Sequence, residues 1–490
     1  MTALICAVLA AALLRPQLET VAKLPGEPSR VSAAGITKAE DPILTIENAS
    51  AFDVNAAKRR LVIVGEGDAA PEAVVAAVRW LKTNAPAAIR RQWVVSAMPA
   101  VASDPADAMS LSRWVTFQAP DLVIEVGAGG VVHLESVPAK KVPADGTIAA
   151  LQKLLEADTG ARSPLHATIA ARLQRTPFAI ARLLANRYPE APSVNYIPAV
   201  SWTNALRLAT LTGDAVLKKR VHDQIAPWLS GEKKLFGDRV QLTAVAGAMM
   251  FADLSKSGGG EAAGRLASEA AALAAAFKPD GVAQYGQGWT DDMFMASSIL
   301  SRTGNVDAAA RLLASYGARL QRSDGLFNHA VDGPAAWGRG NGFAALGLIE
   351  ALTAMPDRHP SRAALLEIYR RHMAAVKGQQ SPDGMWREVI DDAAAYREET
   401  ATAMLLTAMA RGIRLGWLDR SYTPVVERAW RGLAAHVAED GTIIDVCTGT
   451  GAGPTPRYYF DRAAITGADD RGGAMALLAS MEMYDFSRMR

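Results

Sequence analysis

Leu300-Ser301-Arg302-Thr303-Gly304-Asn305-Val306-Asp307 joins two amphipathic segments, 291–303 and 305–320, and the manner of joining decides the fold. Glycine just past a last helical turn takes the left-handed backbone that closes a helix, and Asn or Asp after it can cap the next. Thr212-Gly213-Asp214 makes the same step between segments 200–212 and 214–229. Outward from these steps the 3.6-residue period continues, at 164–186, 239–256, 260–277, 341–354, 360–377, 398–415, 422–437 and 471–484. Twelve such segments, joined by loops rich in Gly, Asp and Pro, make six helical hairpins. Hairpins of this kind can close into a double ring, an (α/α)6 barrel, with Ala and Gly letting the inner helices approach. No constant repeat period supports a stacked solenoid instead. The expected fold is mainly α, a barrel over 164–490 whose loops form a rim suited to binding.

Upstream the texture changes. Arg60-Leu61-Val62-Ile63-Val64 has the pattern of a buried strand and is followed by a helix over about 71–81. Trp93-Val94-Val95-Ser96 and Asp121-Leu122-Val123-Ile124-Glu125-Val126 are further strand candidates. Strands alternating with helices predict a small parallel α/β domain over 45–155. Residues 15–45 mix Pro, Gly, Ser and charge without a sustained period and read as a linker. Gly65-x-Gly67-x-x-Ala70 after a strand has the outline of a dinucleotide fingerprint, but no acidic residue ends the strand at 93–96. The domain is expected to be accessory and non-catalytic.

Half of the 490 residues are hydrophobic, 21% are charged, and the formal net charge is +2 with both signs interspersed. No basic stripe offers a surface for nucleic acid. Cys6 and Cys447 stand outside any metal-ligand spacing, so neither a metal nor an organic cofactor is implied. The apolar run Ala3–Leu14 is too short to span a bilayer but suits the core of a signal peptide over 1–20, although a basic n-region is missing. Export to the periplasm or beyond is the expectation, with a cytoplasmic location if the run is no leader. No later run predicts a membrane span.

Three stretches concentrate chemistry. Gly288-Trp289-Thr290-Asp291-Asp292-Met293-Phe294-Met295 opens a helix. Acidic residues there are ordinarily explained by capping and the helix dipole. Only one of two adjacent aspartates can lead a cap, however. Tryptophan stacks on sugar rings, and a carboxyl beside an apolar wall can have its proton affinity raised enough to act as an acid. Trp337-Gly338-Arg339-Gly340-Asn341-Gly342-Phe343 reads as a glycine loop around a guanidinium fork, suited to a carboxylate, or more plainly as a turn between helices. Upstream of it, Asp324-Gly325-Leu326-Phe327-Asn328-His329 sets a histidine in a polar loop. Asp383-Gly384-Met385-Trp386 and the acidic helix start Glu398-Glu399-Thr400-Ala401-Thr402-Ala403 complete the set.

Together these stretches resemble the unsaturated glucuronyl and rhamnogalacturonyl hydrolases of glycoside hydrolase families 88 and 105. Five of the family's motifs occur in order, at 289–295, 326–329, 337–343, 383–386 and 398–403, and the likeness covers about 165–490. The resemblance implies that Asp291 is the general acid/base, and that Asp238, in Phe236-Gly237-Asp238-Arg239-Val240, is a second essential aspartate. It places Trp289, His329, Trp337, Arg339, Asn341, Phe343 and Trp386 at the substrate, with Arg339 as the uronate's partner. The implied substrate is an oligosaccharide ending in a 4,5-unsaturated uronic acid, whose double bond is hydrated. Two departures stand out: Phe343 replaces the family's usual Trp, and Asp470-Arg471-Gly472-Gly473 replaces its usual His-Gly step. The N-terminal segment lies outside the likeness; its runs 61–65 and 120–125 are faintly similar to zinc carboxypeptidases, without their His-x-x-Glu ligands. Two other readings stay open. A polysaccharide lyase on the same toroid would draw on Tyr285, Tyr396 or Arg339, and a carbohydrate-binding protein would have no turnover.

Overall fold

The computed structural model describes residues 14–37, 41–48, 53, 56–101, 105–127, 130–132, 134–158 and 160–489. The chain divides into two compact units. One holds residues up to Gln174 with Ser381–Gly384 and Asp392–Tyr396; the other holds Arg175–Gln380, Met385–Asp391 and Arg397–Arg490.

The first unit is built on six strands, β1 (Ser29–Ile36), β2 (Pro42–Asn48), β3 (Arg59–Glu66), β4 (Trp93–Val101), β5 (Leu122–Gly127) and β6 (Ala139–Val142), in the order β1-β2-β4-β3-β5-β6. Its helices are α1 over 14–22, α2 (Ala70–Thr83), α3 (Ala87–Gln92), α4 (Pro105–Gln118), α5 (Thr147–Glu156) and α6 (Pro164–Gln174). The centre of strand β3, Leu61–Val64, is an unbroken apolar run because both faces are covered. Leu61 and Ile63 pack with Val74 and Val78 of α2, while Val62 and Val64 pack with Leu111 and Val115 of α4. The sheet is mixed rather than parallel, since β2 runs antiparallel to both β1 and β4. The stretch 15–45, expected as a linker, contains α1, β1 and part of β2. Small residues such as Ser32, Ala33, Ala34 and Gly35 hide β1 from a periodicity argument, and cross-strand pairing supplies what local pattern lacks. Leu14, Leu18 and Val21 are core residues, so 14–20 belong to the folded unit; residues 1–13 of the expected leader lie outside the described residues.

The second unit is helical, and its element bounds lie close to the expected segments. In chain order it contains α7 (Pro177–Arg187), α8 (Tyr196–Thr212), α9 (Ala215–Leu229), α10 (Leu242–Gly247), α11 (Met249–Lys256), α12 (Gly260–Ala274), α13 (Thr290–Arg302) and α14 (Val306–Leu320). There follow α15 (Gly338–Ala354), α16 (Arg362–Gly378), α17 (Glu399–Arg414), α18 (Thr423–His436), α19 (Pro456–Phe460) and α20 (Asp470–Ser487). Two small ladders accompany them, β7 (Trp386–Arg387) with β8 (Arg397–Glu398) and β9 (Ile443–Cys447) with β10 (Ala464–Gly467). The expected segment 164–186 is two helices, because Thr176 caps a new one with Pro177 at its first position. The Gly-Asp step works as expected: Gly213 takes φ 71° and Asp214 accepts from the Leu217 N–H at 2.9 Å. At the Gly-Asn step Gly304 also has a positive φ of 79°, but the Asn305 amide turns back to Thr303 and caps nothing.

Helices α8, α10–α11, α13, α15, α17 and α20 pack each against the next, and α20 closes back on α8. This is the inner ring of an (α/α)6 barrel; α7, α9, α12, α14, α16 and α18 stand outside it. Helix α15 carries Gly338, Gly340, Gly342 and Gly347, so the expected glycine loop at 337–343 is instead a helix start. These glycines serve close approach rather than backbone freedom. A Cβ at Gly347 would run into the Met293 carbonyl of α13, and one at Gly342 would meet the Met404 sulfur of α17 at 2.5 Å. At the opposite end, near the helix C-termini, ion pairs cross five junctions of the ring. Asp253 of α11 pairs with Arg302 of α13, Arg302 with Glu350 of α15, and Glu350 with Arg411 of α17. Arg411 and Arg414 pair with Glu482 of α20, and Asp485 of α20 with Arg207 of α8.

Candidate active site

The other end of the ring gathers the N-termini of α8, α13, α15, α17 and α20, and Trp289, Asp291, His329, Trp337 and Arg339 meet there. Trp289 precedes α13 and is half-buried; Asp291 and Asp292 occupy the first turn. Their roles divide by direction. Asp292 is buried and turns back, accepting from the Gly288 N–H at 2.7 Å and the Tyr316 hydroxyl at 2.7 Å. Burial pushes its carboxyl up to about 6, against the pull of those hydrogen bonds. Asp291 keeps 22% of its side chain exposed, and its Oδ2 meets His329 Nε2 at 3.1 Å. Its Oδ1 has no hydrogen-bond partner among the described residues.

His329 is fully buried and held on every side. Its Nδ1 lies 2.9 Å from the Tyr459 hydroxyl, which also accepts from the Gly453 N–H at 3.2 Å. That arrangement leaves the phenol proton to donate to Nδ1 and the Nε2–H to donate to Asp291. Burial raises the Tyr459 phenol to about 12, so it stays protonated. The imidazole is packed between Trp289, at 5.3 Å between ring centroids, and Trp337, at 4.4 Å.

Asn341 fixes the loop that carries His329. Its amide donates to the Phe327 and Trp337 carbonyls, and its oxygen accepts from the Phe327 N–H at 2.9 Å and His372 Nε2 at 3.1 Å. Burial lowers His372 to about 3, keeping it neutral. Asn341 has no exposed surface, so this structure leaves it no donor or acceptor for a ligand. Phe343 likewise differs from its expected position at the substrate: it is buried, stacked on Phe294 at 6.0 Å and met edge-on by Tyr196 at 5.5 Å. Trp386 is 0% exposed and spends its indole N–H on the Val376 carbonyl at 2.7 Å. These three support the site from behind, for the shared reason that their polar groups or faces are used up by the protein. Asp238 lies exposed in the loop between α9 and α10.

Trp337 and Arg339 open α15 and are both buried. The Trp337 indole donates to Glu388 Oε1 at 3.0 Å, an oxygen that also accepts from the Cys447 thiol at 3.0 Å. Arg339 lies over the Trp337 ring and donates to the Cys447 and Thr448 carbonyls, at 2.6 Å each. Sequence reasoning passed over Glu388, which burial and the nearby Glu398 charge push up to about 8. The sign follows directly: a carboxyl held above its ordinary value contributes stability that is full at low pH and is lost as pH rises through about 8. Glu388→Gln keeps an acceptor for Trp337 and removes the titration. Its melting temperature relative to wild type is expected to rise by roughly 6 °C between pH 5 and pH 8. A difference that stays flat over that range would assign the titration elsewhere.

Tyr196 and Asp469 were unforeseen, and Tyr459 and Arg471 had been noted in the sequence without a role. Asn195 caps α8 and sets Tyr196 at its first position, where the phenol lies in the field of Arg339, Asp291, Arg471 and Asp469. Burial raises it to about 12. Asp469 caps α20 through the Arg471 and Gly472 N–H groups and chelates the Arg471 guanidinium. The signal for Tyr459 in the sequence was the Tyr458-Tyr459 pair after the glycine-rich loop 449–453, a stretch that follows the family's pattern. Among the described residues no group of three or more His, Cys, Asp or Glu is placed to hold a metal ion, and no helix is long and apolar enough to cross a membrane.

Comparison with known proteins gives the site a context. An unsaturated rhamnogalacturonyl hydrolase of Bacillus subtilis is 29% identical over 179 residues, 34% of this chain and 50% of the relative. An unsaturated 3S-rhamnoglycuronyl hydrolase of an Alteromonas species is 30% identical over 222 residues, 41% of this chain and 52% of the relative. The chain thus spans about half the length of these curated relatives. Among solved structures, a possible member of the GH105 family from Salmonella enterica superposes with a TM-score of 0.56 at 20% identity, covering 66% of this chain and 94% of the other. A glycosyl hydrolase family 88 protein from Bacteroides vulgatus gives 0.53 at 18%, covering 64% and 100%. These two likenesses speak for the fold. The model of glycosyl hydrolase family 88 matches residues 184–487, which is most of the helical unit, and the chain belongs to that family.

Proposed function

We propose that this protein removes a terminal 4,5-unsaturated uronic acid from oligosaccharides by hydrating its double bond, with Asp291 as the proton-handling group. One observation carries the reading: Asp291 has one oxygen held by the His329–Tyr459 relay and the other uncommitted, beside the half-exposed Trp289. A protonated Asp291 gives its proton to C4, and water bonds to C5. The proton that water sheds restores the carboxyl. The resulting hemiketal opens to a C5 ketone, and C1, now a hemiacetal, releases the aglycone alcohol. The double bond is consumed rather than the leaving group being displaced, so the separation of two carboxylates that sorts ordinary glycosidases has no bearing.

Trp289 offers the sugar a stacking face, and the gathered helix N-termini favour an anionic substrate. Trp337 and Arg339 lie behind Asp291 and His329, and Asp238 stands as a second essential aspartate on family likeness alone. The relatives' names, unsaturated rhamnogalacturonyl and rhamnoglycuronyl hydrolase, support the substrate class. The test is a turnover screen of unsaturated oligosaccharides from several uronic-acid polymers, with the intact polymers as a second arm. The ultraviolet absorbance of the unsaturated uronate is expected to decay. Growth of that absorbance on intact polymer would make the protein a lyase, and binding without change in either arm would make it a carbohydrate-binding protein.

A further inference from the structure

Arg339 is the arginine that motif likeness sets against the uronate, yet its fork is closed. Both terminal nitrogens donate to backbone carbonyls of 447–448, and the residue is 2% exposed, so it works as a brace for the strand end at Cys447. A second guanidinium stands at the same end of the ring. Arg471, in the first turn of α20, keeps 22% of its side chain exposed. Its Nε and Nη2 are tied to Asp469 at 3.2 and 2.6 Å, and Nη1 has no partner among the described residues. The loop it faces is small: a Cβ placed on Gly449 would stand 3.6 Å from Nη1. Tyr196, only 9% exposed, also has a hydroxyl without a hydrogen-bond partner among the described residues, and it and Arg471 each lie in the other's field.

We propose that Arg471, assisted by the Tyr196 hydroxyl, recognises the carboxylate of the substrate's terminal sugar, and that Arg339 does not. This rests on the uronyl-hydrolase reading above. The chelating Asp469 holds the guanidinium plane fixed and leaves the Nη1 edge to donate, which suits a planar carboxylate. Asp469 caps α20 through backbone N–H groups, so the cap survives replacement of the Arg471 side chain.

The experiment compares an unsaturated uronate disaccharide with its methyl ester, in which the charge is gone and the shape is kept. Wild type is expected to prefer the acid by 10- to 100-fold in kcat/KM, the range for a charge-assisted hydrogen bond. Arg471→Gln should lose 10- to 100-fold on the acid, chiefly through KM, and should no longer tell acid from ester. Arg471→Lys should recover part of the preference. Arg339→Gln should lower the melting temperature and keep the preference. An Arg471→Gln protein that melts like wild type and still prefers the acid overturns the assignment. Should wild type turn over no unsaturated uronide, the reaction reading fails by itself. The acid–ester comparison is then read by calorimetry with methyl glucuronide and its ester, where equal binding of the two by wild type overturns the role of Arg471.

Discussion

Asparagine at position 291 is expected to lower kcat by 100- to 10,000-fold, the range for losing a general acid/base, with little change in melting temperature. The substitution is isosteric. The amide oxygen still accepts from His329 Nε2, so the relay to Tyr459 keeps its geometry and only the transferable proton is removed. Asp292→Asn is the informative companion. It sits one residue away but faces Gly288 and Tyr316, so its cost is expected in stability and not in turnover. Decay of the unsaturated chromophore under saturating substrate measures both variants. A loss of less than tenfold in Asp291→Asn would take the proton-handling role away from this residue.

The second large effect is expected far from the chemistry. Glu482 is 1% exposed and takes both Arg411, at 2.9 Å, and Arg414, at 3.1 Å. Glu482→Gln keeps the volume, leaves Arg414 without a carboxylate and leaves Arg411 with Glu350 alone. Removing one partner of a buried pair costs about 3–5 kcal/mol, and the partial exposure of Arg414 argues for the low end. For a unit of this size that is a fall of roughly 6–12 °C in melting temperature. The substitution lies twelve residues along α20 from its N-terminus, about 18 Å by helical rise, so kcat should stay within about twofold. A shift below about 2 °C would mean that Glu350 alone suffices to hold Arg411.

The helical plan was legible because it is local. Glycine steps, first-turn acids and the 3.6 period predicted α13 at 291–303 and α14 at 305–320, where the structure has Thr290–Arg302 and Val306–Leu320. What escaped was non-local. The glycines of α15 read as a loop because glycine is a poor helix former, yet the contacts that require them, Met293 and Met404, belong to other helices. Strand β1 escaped because its side chains are small and its partner is β2. The same limit governed the site. Trp386, Asn341 and Phe343 carry the right chemistry at the right spacing, but burial has already assigned their polar groups and faces. Conversely, Tyr196, Glu388, Tyr459 and Arg471 come from four separate parts of the chain, and only the closure of the ring brings them to His329 and Asp291.

The glycine-lined contacts of α15 have a consequence for how a saccharide is handled. Helices α15 and α17 are buried on nearly every face along their length, so the ring is filled behind the Asp291 end. No thread can be pulled through. On the proposed reading, a glycan enters and leaves by the same end and each visit trims only the unit at its tip, so a long chain would be shortened by repeated separate arrivals rather than in one continuous run.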